Sequence, residues 1–160
     1  RFERGEIFLP QLINAAGAAQ EAFEIIRAEL AATGGPAVSK GKVLVATVKG
    51  DIHDIGKNIV KTIVENYGYR VIDLGRDVPV ETVVETAIRE DVHLIGLSAL
   101  MTTTLVSMDE TIQALRRSGH PCKIWVGGAV LTPEYAKKMG ADFYARDARE
   151  SVEICREVLG

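Results

Sequence analysis

From Lys42 to the end of the chain, short runs of β-branched and aliphatic residues alternate with stretches in which apolar positions recur every three or four residues. The runs predict strands near 43–48, 70–74, 93–98, 123–127 and 142–144, and the longer spacing predicts helices near 56–67, 80–90, 106–118, 132–139 and 147–159. Five strand–helix units in succession imply an α/β fold, a parallel sheet covered on both faces with right-handed crossovers. The near-continuous apolar runs Val43-Leu44-Val45-Ala46 and Leu94-Ile95-Gly96-Leu97 agree, because a strand buried on both faces has no polar side to show.

The expected arrangement is a flavodoxin-like (Rossmann-like) five-stranded sheet of order 2-1-3-4-5. Its ligand site lies beyond the carboxyl ends of strands 1, 3 and 4, where the order reverses. Upstream, from about Pro10 to Ala32, Leu12, Ala15, Ala16, Ala19, Phe23, Ile26 and Leu30 fall at helical steps, and Pro10 suits a first turn. One amphipathic helix cannot bury its own stripe, so it needs the following domain, further helices or another subunit. Gly34-Gly35-Pro36 stops it. Residues 34–41 therefore read as a linker between a helical segment, 1–33, and an α/β domain, 42–160.

At 160 residues and 47% hydrophobic content the chain buries one full core. Its 19 basic and 22 acidic side chains are interspersed, giving a net charge of −3, with no basic stripe for nucleic acid and no polybasic segment for a membrane surface. No apolar run approaches the roughly 18 residues of a membrane span, and no signal peptide is visible. Cys122 and Cys155 form no CxxC and read as reduced core residues, which suits the cytoplasm. The chain opens at Arg1 rather than Met, which leaves room for an upstream segment.

Three unusual loops follow strands 1, 3 and 4: Asp51-Ile52-His53-Asp54-Ile55-Gly56, Ser98-Ala99-Leu100 with Met101-Thr102-Thr103-Thr104, and Gly127-Gly128. Asp51 and His53 stand two apart, so in an extended loop the carboxylate can hold one imidazole nitrogen while the other faces outward, oriented for a metal. Taken singly, the histidine can be an exposed loop residue, the Ser/Thr run a helix cap and the glycine pair a turn. No GxGxxG or GxxxxGK[ST] loop follows strand 1, so the dinucleotide and nucleoside-triphosphate readings lack their central feature.

Together, Asp51, His53 and Gly56 (DxHxxG), Ser98 and Leu100 (SxL) after 41 intervening residues, and Gly127-Gly128 (GG) after 26 more resemble a known signature. It is that of the cobalamin-binding modules of methionine synthase and the corrinoid proteins of methyltransferase systems. The resemblance spans the α/β part, and the helix opening at Phe8-Leu9-Pro10-Gln11 resembles the last helix of the helical cap that precedes such modules. It implies cobalamin or a related cobamide as cofactor, with His53 as the lower axial ligand of cobalt in place of the cofactor's own base. Asp51 would hydrogen-bond the other imidazole nitrogen. Thr104, six positions beyond Ser98, stands where methionine synthase has a serine that extends this relay; the hydroxyl is kept and a methyl is added. Ser98 and Gly128 would line the slot for the displaced nucleotide tail, the glycine pair letting a bulky group approach the backbone. Asp54, Ile55, Gly56, Leu100, Thr102, Thr103 and Gly127 complete the implied cofactor contacts. Cobalt that holds an axial nitrogen in one redox state and sheds it in another calls for a ligand of adjustable proton content, which an Asp–His pair supplies.

The resemblance further implies a methyl carrier serving a methyl-donor methyltransferase subunit and a methyl-acceptor methyltransferase subunit, with a reductive activase as a third partner. Acid–base residues for activating a donor are not evident, so the chain reads as a shuttle rather than a complete enzyme. The alternatives are the cobalamin domain of an adenosylcobalamin-dependent mutase, a cobalamin-binding sensory module, and a flavin-binding flavodoxin-like protein. Lys57 and Asn58, at a helix N-terminus, touch the tail or are solvated. His93 and His120 precede strands 3 and 4 at the opposite edge and read as structural or exposed. Trp125 reads as core. Asp73, Arg76 and Asp77 follow strand 2 and are expected to cap a helix or face a partner.

Overall fold

The computed structural model describes residues 39–160 throughout and, before them, residues 8, 10, 11, 14, 15, 17, 18, 22 and 25. In that earlier segment Pro10, Gln11, Asn14, Ala15, Gly17, Ala18, Ala22 and Ile25 are helical. Phe8 N–H donates to Gln11 Oε1 at 2.6 Å and Gln11 N–H to the Phe8 carbonyl at 3.0 Å, so the helix starts where Pro10 predicts. Ala15, read as part of the apolar stripe, is exposed. Leu12, Ala16, Ala19, Phe23, Ile26, Leu30 and linker positions 34–38 lie outside the described residues.

The α/β part runs β1 (Lys42–Thr47), α1 (Ile55–Asn66), β2 (Arg70–Asp73), α2 (Val80–Arg89), β3 (Leu94–Ser98), a 3-10 turn (Thr102–Thr104), α3 (Leu105–Arg117), β4 (Lys123–Gly127), α4 (Pro133–Lys138), β5 (Phe143–Tyr144) and α5 (Ala148–Leu159). All neighbouring strands pair parallel in the order β2-β1-β3-β4-β5. This is the expected flavodoxin-like sheet. Thr47 pairs with Ser98 and Ser98 with Gly127, so the three motif-bearing loops leave the sheet from one level line.

Alternate strand residues build two cores. Leu44, Ala46, Ile95, Leu97, Ile124 and Val126 pack against Val83 and Ala87 of α2, Met108, Ile112 and Leu115 of α3, and Ala136 of α4. On the other face Val43, Val45, Leu94 and Trp125 meet Val60, Ile63 and Val64 of α1 and Val152 and Cys155 of α5. Trp125 is buried as expected, and its ring lies over Gly96.

A Cβ at position 96 would run into the Trp125 ring. Gly96→Ala is therefore expected to lower unfolding stability by about 1–3 kcal/mol, read as a shift of the urea midpoint at constant slope; an unchanged midpoint would show that the ring gives way freely.

Candidate functional site

The loop after β1 turns sharply at Gly50, where φ is +83° and Asp51 N–H closes on the Val48 carbonyl at 3.0 Å. It is braced from β2's side. Asp77 accepts from Gly50 N–H through Oδ1 at 2.7 Å and donates its own N–H to the Asp51 carbonyl at 2.9 Å, itself holding φ +52°. The expectation that Asp77 caps a helix or faces a partner is thus corrected: β2 pairs with β1, so the turn after β2 lies against the first loop.

Asp51 is fully buried. One carboxylate oxygen accepts from His53 N–H at 3.0 Å and faces His53 Nδ1 at 2.8 Å; the other accepts from Leu100 N–H at 2.7 Å, Met101 N–H at 3.3 Å and Thr104 Oγ1 at 2.9 Å. Burial alone would raise this carboxyl's pKa. The N–H groups of His53 and Leu100, the imidazole and the Thr104 hydroxyl outweigh it and hold the group well below the ordinary carboxylate range. Since a carboxylate only accepts, His53 Nδ1 carries the proton and Nε2 keeps its lone pair. The side chain is 46% exposed, so that nitrogen is accessible. The Thr104 hydroxyl also lies 2.9 Å from the Met101 carbonyl, and its one proton serves either acceptor.

Beside His53 a cleft of about 1230 Å³ opens between the sheet, α1 and α5. That exceeds the roughly 300–1,000 Å³ of pockets for drug-sized ligands. Ile52, His53, Asp54, Ile55, Gly56 and Leu100 line it, together with Ser98, Gly127, Gly128, Gly96 and Trp125. The Ser98 hydroxyl and the Trp125 indole N–H make no hydrogen bond to the described residues, so polar groups face the cleft unpaired. A wide slot with unpaired donors, next to an imidazole nitrogen presented outward, fits a bulky ligand that carries a metal centre and a polar tail.

The two remaining members behave differently. Thr102 and Thr103 are exposed in the 3-10 turn and do not line the cleft, while Asp51 and Thr104 act from behind His53. Gly128, at φ +143°, is required by the protein itself, because a Cβ there would strike the Ala99 carbonyl. Lys57 is neither solvated nor free: it is buried, with Nζ 2.6 Å from Asp73 Oδ1 and 2.8 Å from Asn58 Oδ1. Asp73 therefore serves the cleft wall; burial opposes its charge, but Lys57 and Gly75 N–H keep its carboxyl below the usual value. The spacing of Ile59 and Ile63 along α1 was the available signal for the cleft's helical wall. Asp77 gave none.

The B12-binding domain family matches residues 41–153. Dimethylamine corrinoid protein 2 of Methanosarcina mazei is 44% identical over 161 residues, covering 99% of this chain and 74% of that protein. Among solved structures, a cobalamin-binding protein from Desulfitobacterium hafniense shares 37% identity with a TM-score of 0.82, covering all of this chain and 75% of the other. A chain of the methanol:cobalamin methyltransferase complex MtaBC from Methanosarcina barkeri shares 32% identity with a TM-score of 0.85, covering 99% of this chain and 60% of the other.

Asp51 has a folded-state pKa below its unfolded value of about 3.9, so its contribution to stability is complete above that value and drains away only as pH falls through the lower one. Asp51→Asn is expected to cost about 2 kcal/mol or more near neutral pH and to flatten the loss of stability on acidification below about pH 4. Urea titrations across that range check both; a variant as acid-sensitive as wild type would assign the acid lability elsewhere.

Proposed function

This chain belongs to the B12-binding domain family, and from that premise we propose that it is a methyl carrier holding cobalamin or a related cobamide, with His53 as the lower ligand of cobalt and the cofactor's own base displaced. The observation that carries the reading is the 2.8 Å contact between Asp51 Oδ1 and His53 Nδ1, which commits one nitrogen to the carboxylate and leaves Nε2 for the metal. When bound, the corrinoid would supply a cobalt centre able to carry a methyl group, held by His53.

His53 anchors the cofactor at the carboxyl edge of the sheet. Asp51 keeps the imidazole proton at Nδ1 and is a counter-charge for the ring whenever both nitrogens carry protons. Ser98, Gly127, Gly128 and Trp125 form the wall that would receive the nucleotide tail, with the Ser98 hydroxyl and Trp125 N–H available to its polar groups. Ile52, Ile55 and Leu100, which are 61%, 58% and 41% exposed, offer apolar surface around the imidazole that a corrin ring would cover.

Donor activation, acceptor chemistry and reductive reactivation belong in this reading to a methyl-donor methyltransferase subunit, a methyl-acceptor methyltransferase subunit and a reductive activase, in the cytoplasm. The relatives named for dimethylamine support a methylated amine as donor, recognised by the partner. Their similarity extends over 99% of this chain, including the N-terminal helix, which favours a methyl carrier over a mutase domain or a sensory module. Residues 1–33 would then be part of an N-terminal helical cap and 34–41 the linker that joins it to the α/β domain. Among the described residues no helix is long and apolar enough to cross a membrane.

Loaded with a corrinoid, the wild-type protein is expected to show an axial-nitrogen signature in its ultraviolet–visible and paramagnetic resonance spectra, and His53→Ala to lose it. A retained signature would refute the ligand assignment, and a flavin or colourless spectrum after reconstitution would refute the cofactor. Asp51→Asn is expected to reduce proton uptake on cobalt reduction; uptake equal to wild type would remove the proton-holding role from the pair.

A further inference from the structure

At the amino edge of the sheet, opposite the corrinoid site, the turn after α2 meets the turn after α3, because β3 and β4 start side by side with Leu94 paired to Lys123. Three metal-ligating side chains gather there. Ligand atoms of Asp91, His93 and His120 all lie within 4.8 Å of one another, and the two imidazoles stand 5.4 Å apart, nearly parallel.

The backbone fixes which nitrogen each ring offers. His93 Nδ1 lies 2.7 Å from the Pro121 carbonyl and His120 Nε2 lies 2.8 Å from the Val92 carbonyl. A carbonyl only accepts, so both nitrogens carry protons, leaving His93 Nε2 and His120 Nδ1 as the free lone pairs. A ring whose far nitrogen is tied to a carbonyl is how proteins orient metal-binding histidines. His93 Nε2 faces Asp91 Oδ1 at 3.4 Å, two acceptors that need a cation or a proton between them. Among the described residues no lysine or arginine pairs with Asp91: Arg89 turns to Glu90, Lys42 to the Glu90 carbonyl and Lys123 to Asp142.

Asp91 also occupies a position where a side chain is costly. Its φ is +51°, in the turn that ends α2, with Val92 N–H reaching back to the Ala87 carbonyl at 2.9 Å. Glycine fits such a position best, and the chain instead puts a carboxylate there, facing His93 and within 4.8 Å of a ligand atom of His120.

The geometry points to a second metal site, in which Asp91, His93 and His120 bind one divalent transition-metal cation of the zinc class and clip the two turns together. Two imidazoles and a carboxylate, with a fourth position for water, suit such an ion, whose bonds of about 2.0–2.2 Å require the donors to close in. Because an imidazole lone pair lies in its ring plane, the stacked rings must also turn toward one another, and side chains 75% exposed at Asp91 and 49% exposed at His93 leave room for that.

The test is isothermal titration of the full corrinoid-loaded chain with Zn²⁺, and of His53→Ala, since His53 is the only other histidine among the three in the sequence. Asp91→Gly removes the carboxylate and suits the positive φ, so it keeps the fold; His93→Asn and His120→Gln retain an N–H near the position that meets each carbonyl. The expected result is one saturable equivalent in wild type and in His53→Ala. Asp91→Gly should bind about tenfold or more weakly, the two ring variants should lose the site, and zinc X-ray absorption should report two imidazole ligands. No saturable binding by wild type, or affinity unchanged in Asp91→Gly or in the ring variants, would overturn the proposal.

Discussion

The carboxylate of Asp51 organises the carboxyl edge of the sheet. A charge taken out of water is tolerated only when its lone pairs are met by donors, and those donors come from two separate loops. His53 supplies two from the first loop; Leu100, Met101 and Thr104 supply three from the loop after β3. The anion is thus a tie between segments some fifty residues apart in sequence, and the imidazole takes its direction from it. The parallel register makes this cheap, since Thr47, Ser98 and Gly127 already stand level. Fold and site are one argument here: strand pairing delivers the loops, and one buried charge locks them.

Much of this is readable from the chain because its signals are local. β-branched runs and three-to-four spacing place every strand and helix of the α/β part within a residue or two, and the expected flavodoxin-like order is the one the strands adopt. The pairing of Asp51 with His53 is legible for the same reason, being a two-residue spacing. What escapes is set by contacts distant in sequence. Asp77 supports Gly50 across 27 residues, and Asp73 neutralises Lys57 across 16; neither spacing carries a periodic mark. In the sequence Lys57 has two readings, because a helix N-terminus says nothing of what lies beside it.

Glycine illustrates the difference between recognising a motif and explaining it. The pair 127–128 suggests room for a ligand, yet at Gly128 the space a side chain would need is filled by the backbone of Ala99. Gly96, which belongs to no motif, is bare so that the Trp125 ring can occupy the space above it and line the cleft. One glycine serves the main chain and the other serves an aromatic ring, and only packing tells them apart.

The relay from His53 through Asp51 to Thr104 has a dead end. Thr104 is 5% exposed and its single hydroxyl hydrogen finds only Asp51 or the Met101 carbonyl, with Asp51 itself wholly shielded from water. Protons therefore have one doorway, the outward nitrogen of the imidazole. Whatever occupies that nitrogen also shuts the door, so the charge state inside is frozen for as long as the ring is engaged and can be reset only in the interval when it lets go.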